Sequence, residues 1–163
     1  MKTLLGMLCT LVIALSVSAQ ETGNVMLKYG LNFLKTPYVA HTLEVNDEEK
    51  LVVNFDEVDC TTFVEYVLAL ALSPVKNKTI DKADYARSLQ NIRYRNGKID
   101  GYTSRLHYIA DWVNNGVRHG FIEDVAAANS PDTLKLSLNF MSTHPKAYKH
   151  LEASPESISK IEN

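Results

Sequence analysis

Asp59-Cys60-Thr61-Thr62-Phe63-Val64-Glu65-Tyr66-Val67-Leu68-Ala69-Leu70-Ala71-Leu72 decides how this chain is read. Asp59 suits an N-cap and the two threonines suit a first turn. The residues that follow are apolar nearly all round, which predicts a central, buried helix rather than a surface one. Ser73-Pro74 ends it, because the residue before a proline disfavours helical geometry. Cys60 then stands in the first turn, where backbone N–H groups lack intrahelical partners and the positive end of the macrodipole lies. A thiol there is biased towards thiolate, below its free pKa of about 8.5, and the same N–H groups can face a developing oxyanion. The alternative is a small apolar residue near a helix start, and the residues alone leave both open.

Upstream, residues 24–35 predict a helix with Val25, Leu27, Leu31, Phe33 and Leu34 on its apolar face, stopped before Thr36-Pro37. Two short β-like runs follow, Val39–Val45 and Leu51–Phe55, with a polar turn at Asn46-Asp47-Glu48-Glu49-Lys50 between them. Downstream, residues 81–93 predict an amphipathic helix capped by Asp81, with Tyr85, Leu89 and Ile92 inward. Asn96-Gly97 and Gly101 mark turns. Residues 104–117 predict a helix with Leu106, Ile109, Ala110 and Val113 on one face, ended by Gly116 or Gly120. Leu134–Phe140 alternates as a strand does, and the polar tail after Ser154 reads as frayed.

Residues 1–19 carry the parts of a cleavable signal peptide: Met1-Lys2, an apolar run from Leu4 to Leu15, and small residues at Val17-Ser18-Ala19. The run is shorter than the roughly 18 residues a membrane span needs. The expectation is an exported protein, periplasmic or extracellular, with a single domain over residues 20–163 and no membrane span after cleavage. Net charge is -2, so there is no basic field and nucleic acid is not an expected partner. Cleavage removes Cys9 and leaves Cys60 alone. A lone cysteine in an oxidising compartment is buried and inert, paired between chains, or kept for reactivity. The five histidines and one remaining cysteine show no ligand spacing, so neither metal nor cofactor is expected.

Four ordered blocks carry a resemblance. Phe33-Leu34-Lys35-Thr36-Pro37-Tyr38-Val39 precedes Asp59-Cys60-Thr61-Thr62-Phe63-Val64-Glu65; then come Ile92-Arg93-Tyr94-Arg95-Asn96-Gly97, and Tyr102-Thr103-Ser104-Arg105-Leu106-His107-Tyr108 with Asp111-Trp112. From Val25 to Phe121 the chain resembles the NlpC-type papain-like cell-wall peptidases, and within them the exported N-acetylmuramoyl-L-alanine amidase-like branch. The resemblance implies an α+β fold: the helical N-terminal half of a papain-like domain, its C-terminal β-sheet half largely missing. It makes Cys60 the catalytic nucleophile, attacking the amide between the muramic acid lactyl group and L-alanine through a thioester. Tyr38 matches a tyrosine beside the nucleophile, and Asp59 matches the residue before it. Tyr102, Arg105, His107 and Tyr108 form a substrate-binding cluster, with Arg105 suited to a carboxylate and muropeptides as the partner. From spacing alone, that cluster reads first as a polar helix face over a packed tyrosine, and the resemblance reverses that order.

One part of the pattern is not matched. The superfamily's base is a histidine at the start of a strand well downstream of the cysteine. Here His144 precedes Pro145, His119 adjoins Gly120 and His150 lies among lysines, while His41 comes before Cys60. The expectation is a truncated form with little activity of its own. Three functions stand side by side: a cell-wall amidase, a non-catalytic muropeptide-binding module, and an inactive fragment.

Overall fold

The computed structural model describes residues 23–129, 137–152 and 154–162. The signal-peptide reading of residues 1–19 lies outside them. Residues 23–31 are helical (α1), and α2 spans Cys60–Leu72. Val75–Lys76 (β1) and Thr79–Ile80 (β2) form a two-stranded antiparallel ribbon, with Val75 opposite Ile80 and Lys76 opposite Thr79. Then come α3 (Lys82–Arg93), α4 (Ile109–Arg118), α5 (Val125–Asn129), α6 (Phe140–Thr143) and α7 (Pro155–Glu162). The described chain is therefore helix-rich with one small sheet, an α+β arrangement. The ribbon had no sequence reading. Asn77 and Lys78 both take positive φ, 52° and 65°, as a two-residue hairpin turn requires.

The helix α2 forms where its sequence predicts, and the cap explains its start. Thr62 N–H donates to Asp59 Oδ1 at 2.7 Å, and Asp59 N–H donates to Thr62 Oγ1 at 2.8 Å. This reciprocal pair satisfies two backbone donors at once. Asp81 caps α3 without a reciprocal bond, its carboxylate accepting the Ala83 and Asp84 N–H groups. Tyr85, Leu89 and Ile92 point inward from α3 and meet Tyr66, Leu68 and Ala69 of α2, with Val58 beneath. Phe33 stacks on Tyr66 and meets Phe63 edge-on, which fastens the segment after α1 to α2.

A buried ion pair crosses this core. Arg93 Nε donates to Glu65 Oε2 at 2.7 Å, with the two side chains 1% and 4% exposed. Arg93 also donates through Nη1 to the Val52 carbonyl at 2.6 Å and lies over the Tyr66 ring. Two residues of the separate sequence blocks thus meet as structure.

Five sequence readings need correction. Val39–Val45 and Leu51–Phe55 are not strands. His41 takes φ 63° and starts a turn closed by Glu44 N–H on its carbonyl, which breaks the first run. The second is extended but held by side chains: Arg93 takes the Val52 carbonyl, Tyr94 Oη the Lys50 carbonyl, and Tyr66 Oη accepts from Asn54 N–H. Met26 of α1 and Phe33 in the turn after it face inward, whereas Val25, Leu27, Leu31 and Leu34 are exposed. The helix read over 104–117 begins only at Ile109. Before it, Tyr102–Ser104 make a 3₁₀ turn, Arg105 bridges Tyr94, and Leu106 N–H donates to the Arg93 carbonyl, so these residues spend their backbone on α3's end. At the other end Gly116 lies inside α4; His119 caps it and Gly120, at φ 72°, turns the chain away. In the Leu134–Phe140 strand, residues 134–136 lie outside the described range, Ser137–Asn139 pair with no strand, and Phe140 opens α6. Finally, the tail after Ser154 is not frayed: Ile158 and Ile161 of α7 pack against a second core of Tyr102, Met141 and Leu151.

Candidate active site

Cys60 is the first residue of α2 and is exposed. The helix behind it is fixed by the Asp59–Thr62 box and by the burial of Glu65 through Ala69, so the sulfur sits on a rigid mount. It opens on a cleft of about 270 Å³ lined by Thr61 and Val64 of α2 and by Ile109, Trp112 and Val113 of α4. Ile109, Trp112 and Val113 share one face of α4 by their spacing of three and four. The cleft is apolar apart from the thiol and the Thr61 hydroxyl, whose oxygen is 4.0 Å from Sγ.

Tyr38 reaches the same sulfur from the other side. Its backbone bridges Val58, just before the cap. Charge on the Cys60 sulfur, above all, holds the Tyr38 phenol above its ordinary pKa, with desolvation and then Asp59 adding to the effect. The structure thus brings Tyr38, Asp59 and Cys60 together. Among the described residues, no histidine lines the Cys60 cleft. Asp59→Ala removes the box and is expected to lower stability by about 1 kcal/mol. It should also slow iodoacetamide labelling of Cys60 at pH 7, since the N–H groups around the sulfur lose their fixed geometry. Urea unfolding and a labelling time course check both.

Tyr102, Arg105, His107 and Tyr108 form a second cluster, in the 3₁₀ turn and extended backbone before α4. The Tyr102 ring lies between two imidazoles, His107 at 4.3 Å and His150 at 5.0 Å between centroids, and Arg105 lies over it at 4.9 Å. Arg105 is buried and already has carboxylates of its own chain, Glu44 and Glu49, the latter at 3.6 Å. Glu44 also faces His150 at 3.3 Å. Burial pushes the Tyr102 phenol up to about 12. His107 donates from Nε2 to the Tyr102 carbonyl at 2.9 Å, a partner that can only accept. Burial, with Arg105 beside it, lowers its pKa to about 4, so the ring is neutral at pH 7. Tyr108 is the N-cap residue of α4, and its side chain makes no capping bond but accepts the Met141 N–H on its hydroxyl at 2.9 Å.

Sequence reasoning missed Glu44, Glu49 and His150. Their signal was weak: the acidic stretch reads as a polar turn, and His150 lies far away in sequence. Asp111 forms an exposed ion pair with Arg95 at 3.0 Å, and Trp112 packs half-buried against the core. Among the described residues, no group of three histidine, cysteine or acidic side chains is placed to hold a metal ion, and no helix is long and apolar enough to cross a membrane.

A capped helix bearing an exposed thiol over an apolar cleft is an arrangement suited to nucleophilic chemistry on an acyl group. The AmiA-like, N-acetylmuramoyl-L-alanine amidase-like family model matches residues 28–163, and the chain belongs to that family. The crystal structure of an N-acetylmuramoyl-L-alanine amidase from Bacteroides uniformis is similar at 58% identity and a TM-score of 0.81, covering 86% of this chain and 58% of the other. A Bacteroides fragilis structure named as a candidate xylanase is similar at 61% identity and TM-score 0.78, covering 83% and 58%. A Legionella pneumophila protein shows 27% identity and TM-score 0.52 over 61% of this chain and 32% of its own. No curated protein matches. The chain spans 58% of the length of its Bacteroides relatives.

Proposed function

We propose that this chain carries the nucleophile of an exported, cysteine-dependent peptidoglycan amidase, on the helical part of a papain-like domain. The observation that supports it is the placement of Cys60: exposed, on the first turn of a helix fixed by the Asp59–Thr62 box and buried along Glu65–Ala69, with Tyr38 near it. The Cys60 sulfur attacks the lactyl carbonyl carbon of the muramoyl–L-alanine amide. The negative charge that develops on the carbonyl oxygen faces first-turn N–H groups. The C–N bond then breaks, the peptide amine leaves with a proton, and a thioester remains. Water hydrolyses the thioester and restores the thiol.

The leaving amine needs a proton donor, and general acid–base help is typically worth about 10²–10⁴-fold. With no described histidine at Cys60, turnover by this chain is expected to be weak, and this same observation favours a muropeptide-binding module as the second reading. A xylanase reading is less well supported. Glycosidases flank the sugar bond with two carboxylates, and the carboxylates at the aromatic cluster, Glu44 and Glu49, are tied to Arg105. The test is release of peptide from muramoyl tripeptide, followed by chromatography with Cys60→Ala as the control. Slow release that disappears in Cys60→Ala supports the amidase. Binding without release supports the module, and xylan cleavage contradicts both.

A further inference from the structure

The helix α1 and the turn after it have apolar residues on two sides, and only one side is used by the core. Met26 and Phe33 pack inward, Phe33 against the rings of Phe55, Phe63 and Tyr66, and Gly30 backs onto Phe63. On the outer side Leu27, Leu31 and Leu34 are 62%, 51% and 69% exposed. Leu27 and Leu31 are one helical turn apart, and Leu34 N–H donates to the Leu31 carbonyl at 3.2 Å, so the three leucines form one continuous ridge. Met26 and Phe33 fix the segment, so this ridge cannot roll into the core.

The charge beside the ridge has one sign. Lys28 and Lys35 each follow one of its leucines and are exposed, and Lys28 Nζ lies 5.9 Å from the centre of the Tyr29 ring. From Gly23 to Leu43 the sequence holds no aspartate or glutamate, although the chain as a whole carries a net charge of -2. A second copy is a poor occupant. In a two-fold dimer the patch meets itself, which sets lysine against lysine. A convex row of leucines between lysines, with no groove and no directed hydrogen-bonding group, has instead the pattern of a helix lying on an anionic lipid surface. The sequence also brings α1 near a bilayer: the apolar run Leu4–Leu15, read as a signal peptide, ends seven residues before Gly23, at most about 25 Å of extended chain.

We propose that α1 is a peripheral membrane contact, with Leu27, Leu31 and Leu34 entering the interfacial region of an anionic bilayer and Lys28 and Lys35 lying among its phosphates. Three leucines and two lysines make a reversible attachment and not an anchor. Phe33 fastens the turn after α1 to α2, so the same contact orients the helix that carries Cys60. The proposal does not rest on the amidase reading.

The test sediments the exported chain with vesicles of phosphatidylcholine alone and of phosphatidylcholine mixed with phosphatidylglycerol. The anionic vesicles are expected to bind at least about tenfold more tightly at low salt, because each lysine near the surface adds attraction, and added salt should shrink that preference. Leu27→Gln with Leu31→Gln should weaken binding to both kinds of vesicle about tenfold, with the urea midpoint unchanged because both side chains are exposed. Lys28→Gln with Lys35→Gln should bind the two kinds alike. In the parent chain, a nitroxide-labelled lipid should broaden the methyl signals of Leu27, Leu31 and Leu34 and spare those of the buried Leu68 and Leu89. Absence of vesicle binding overturns the proposal, as does binding that the leucine variant retains in full, which belongs to another segment. Self-association of the parent that the leucine variant lacks would assign the ridge to a second copy and overturn it as well.

Discussion

Replacing Glu65 by alanine is expected to remove about 3–5 kcal/mol of folding free energy. The side chain is 4% exposed and its partner Arg93 only 1%, so the truncation strands a guanidinium in the core between the Val52 carbonyl and the Tyr66 ring. Whole domains are stable by only about 5–15 kcal/mol, so the variant should unfold at a much lower urea concentration or fail to accumulate. The double variant Glu65→Met, Arg93→Met should recover much of the loss, because a packed apolar pair avoids the uncompensated charge. A double variant no more stable than Glu65→Ala would show that the pair contributes through its specific geometry and not through charge balance.

Acid should weaken the fold through His107. Its folded pKa of about 4 lies below the ordinary 6.5. Above pH 6.5 the ring is neutral whether folded or unfolded, and stability does not depend on it. As pH falls from 6.5 to 4, the unfolded chain takes up the proton and the folded chain does not, so stability falls. The full shift amounts to at most about 3 kcal/mol. His107→Gln keeps a donor for the Tyr102 carbonyl and removes the titration. Urea midpoints at pH 7 and pH 4.5 should therefore drop further for the parent than for the variant, the difference cancelling the other groups that titrate in that range. Equal drops would show that His107 is solvated and unperturbed.

The elements built on local signals were legible in the sequence. Capped, periodic α2 and α3 form at the residues that Asp59 and Asp81 announce, and the inward face of α3 is the one its spacing selects. What escaped depends on distant partners. Leu51–Phe55 looks like a strand because extended backbone with apolar residues is all that the sequence displays. That side chains from α2 and α3 satisfy its carbonyls is a property of the assembled core. Likewise the polar Glu44–Glu49 stretch becomes legible only once Arg105 is seen buried between the two carboxylates. The tail after Ser154 has too few apolar residues to predict docking, yet Ile158 and Ile161 are enough when Tyr102 and Met141 await them. At the candidate site, Cys60, Asp59 and Tyr38 were readable from motif and cap, whereas the Arg105 segment was assigned to the wrong backbone because its pairing with Tyr94 is non-local.

The central claim is that the Cys60 sulfur becomes acylated by a muramoyl amide, and intact-protein mass spectrometry reads this directly. The chain is mixed with excess muramoyl tripeptide, quenched in acid at intervals to preserve thioesters, and digested to locate any adduct. The account predicts a muramoyl-sized mass increase on the peptide containing Cys60, matched by released tripeptide and absent from Cys60→Ala. Tripeptide released at an undiminished rate by Cys60→Ala, with no adduct on the parent chain, would contradict it.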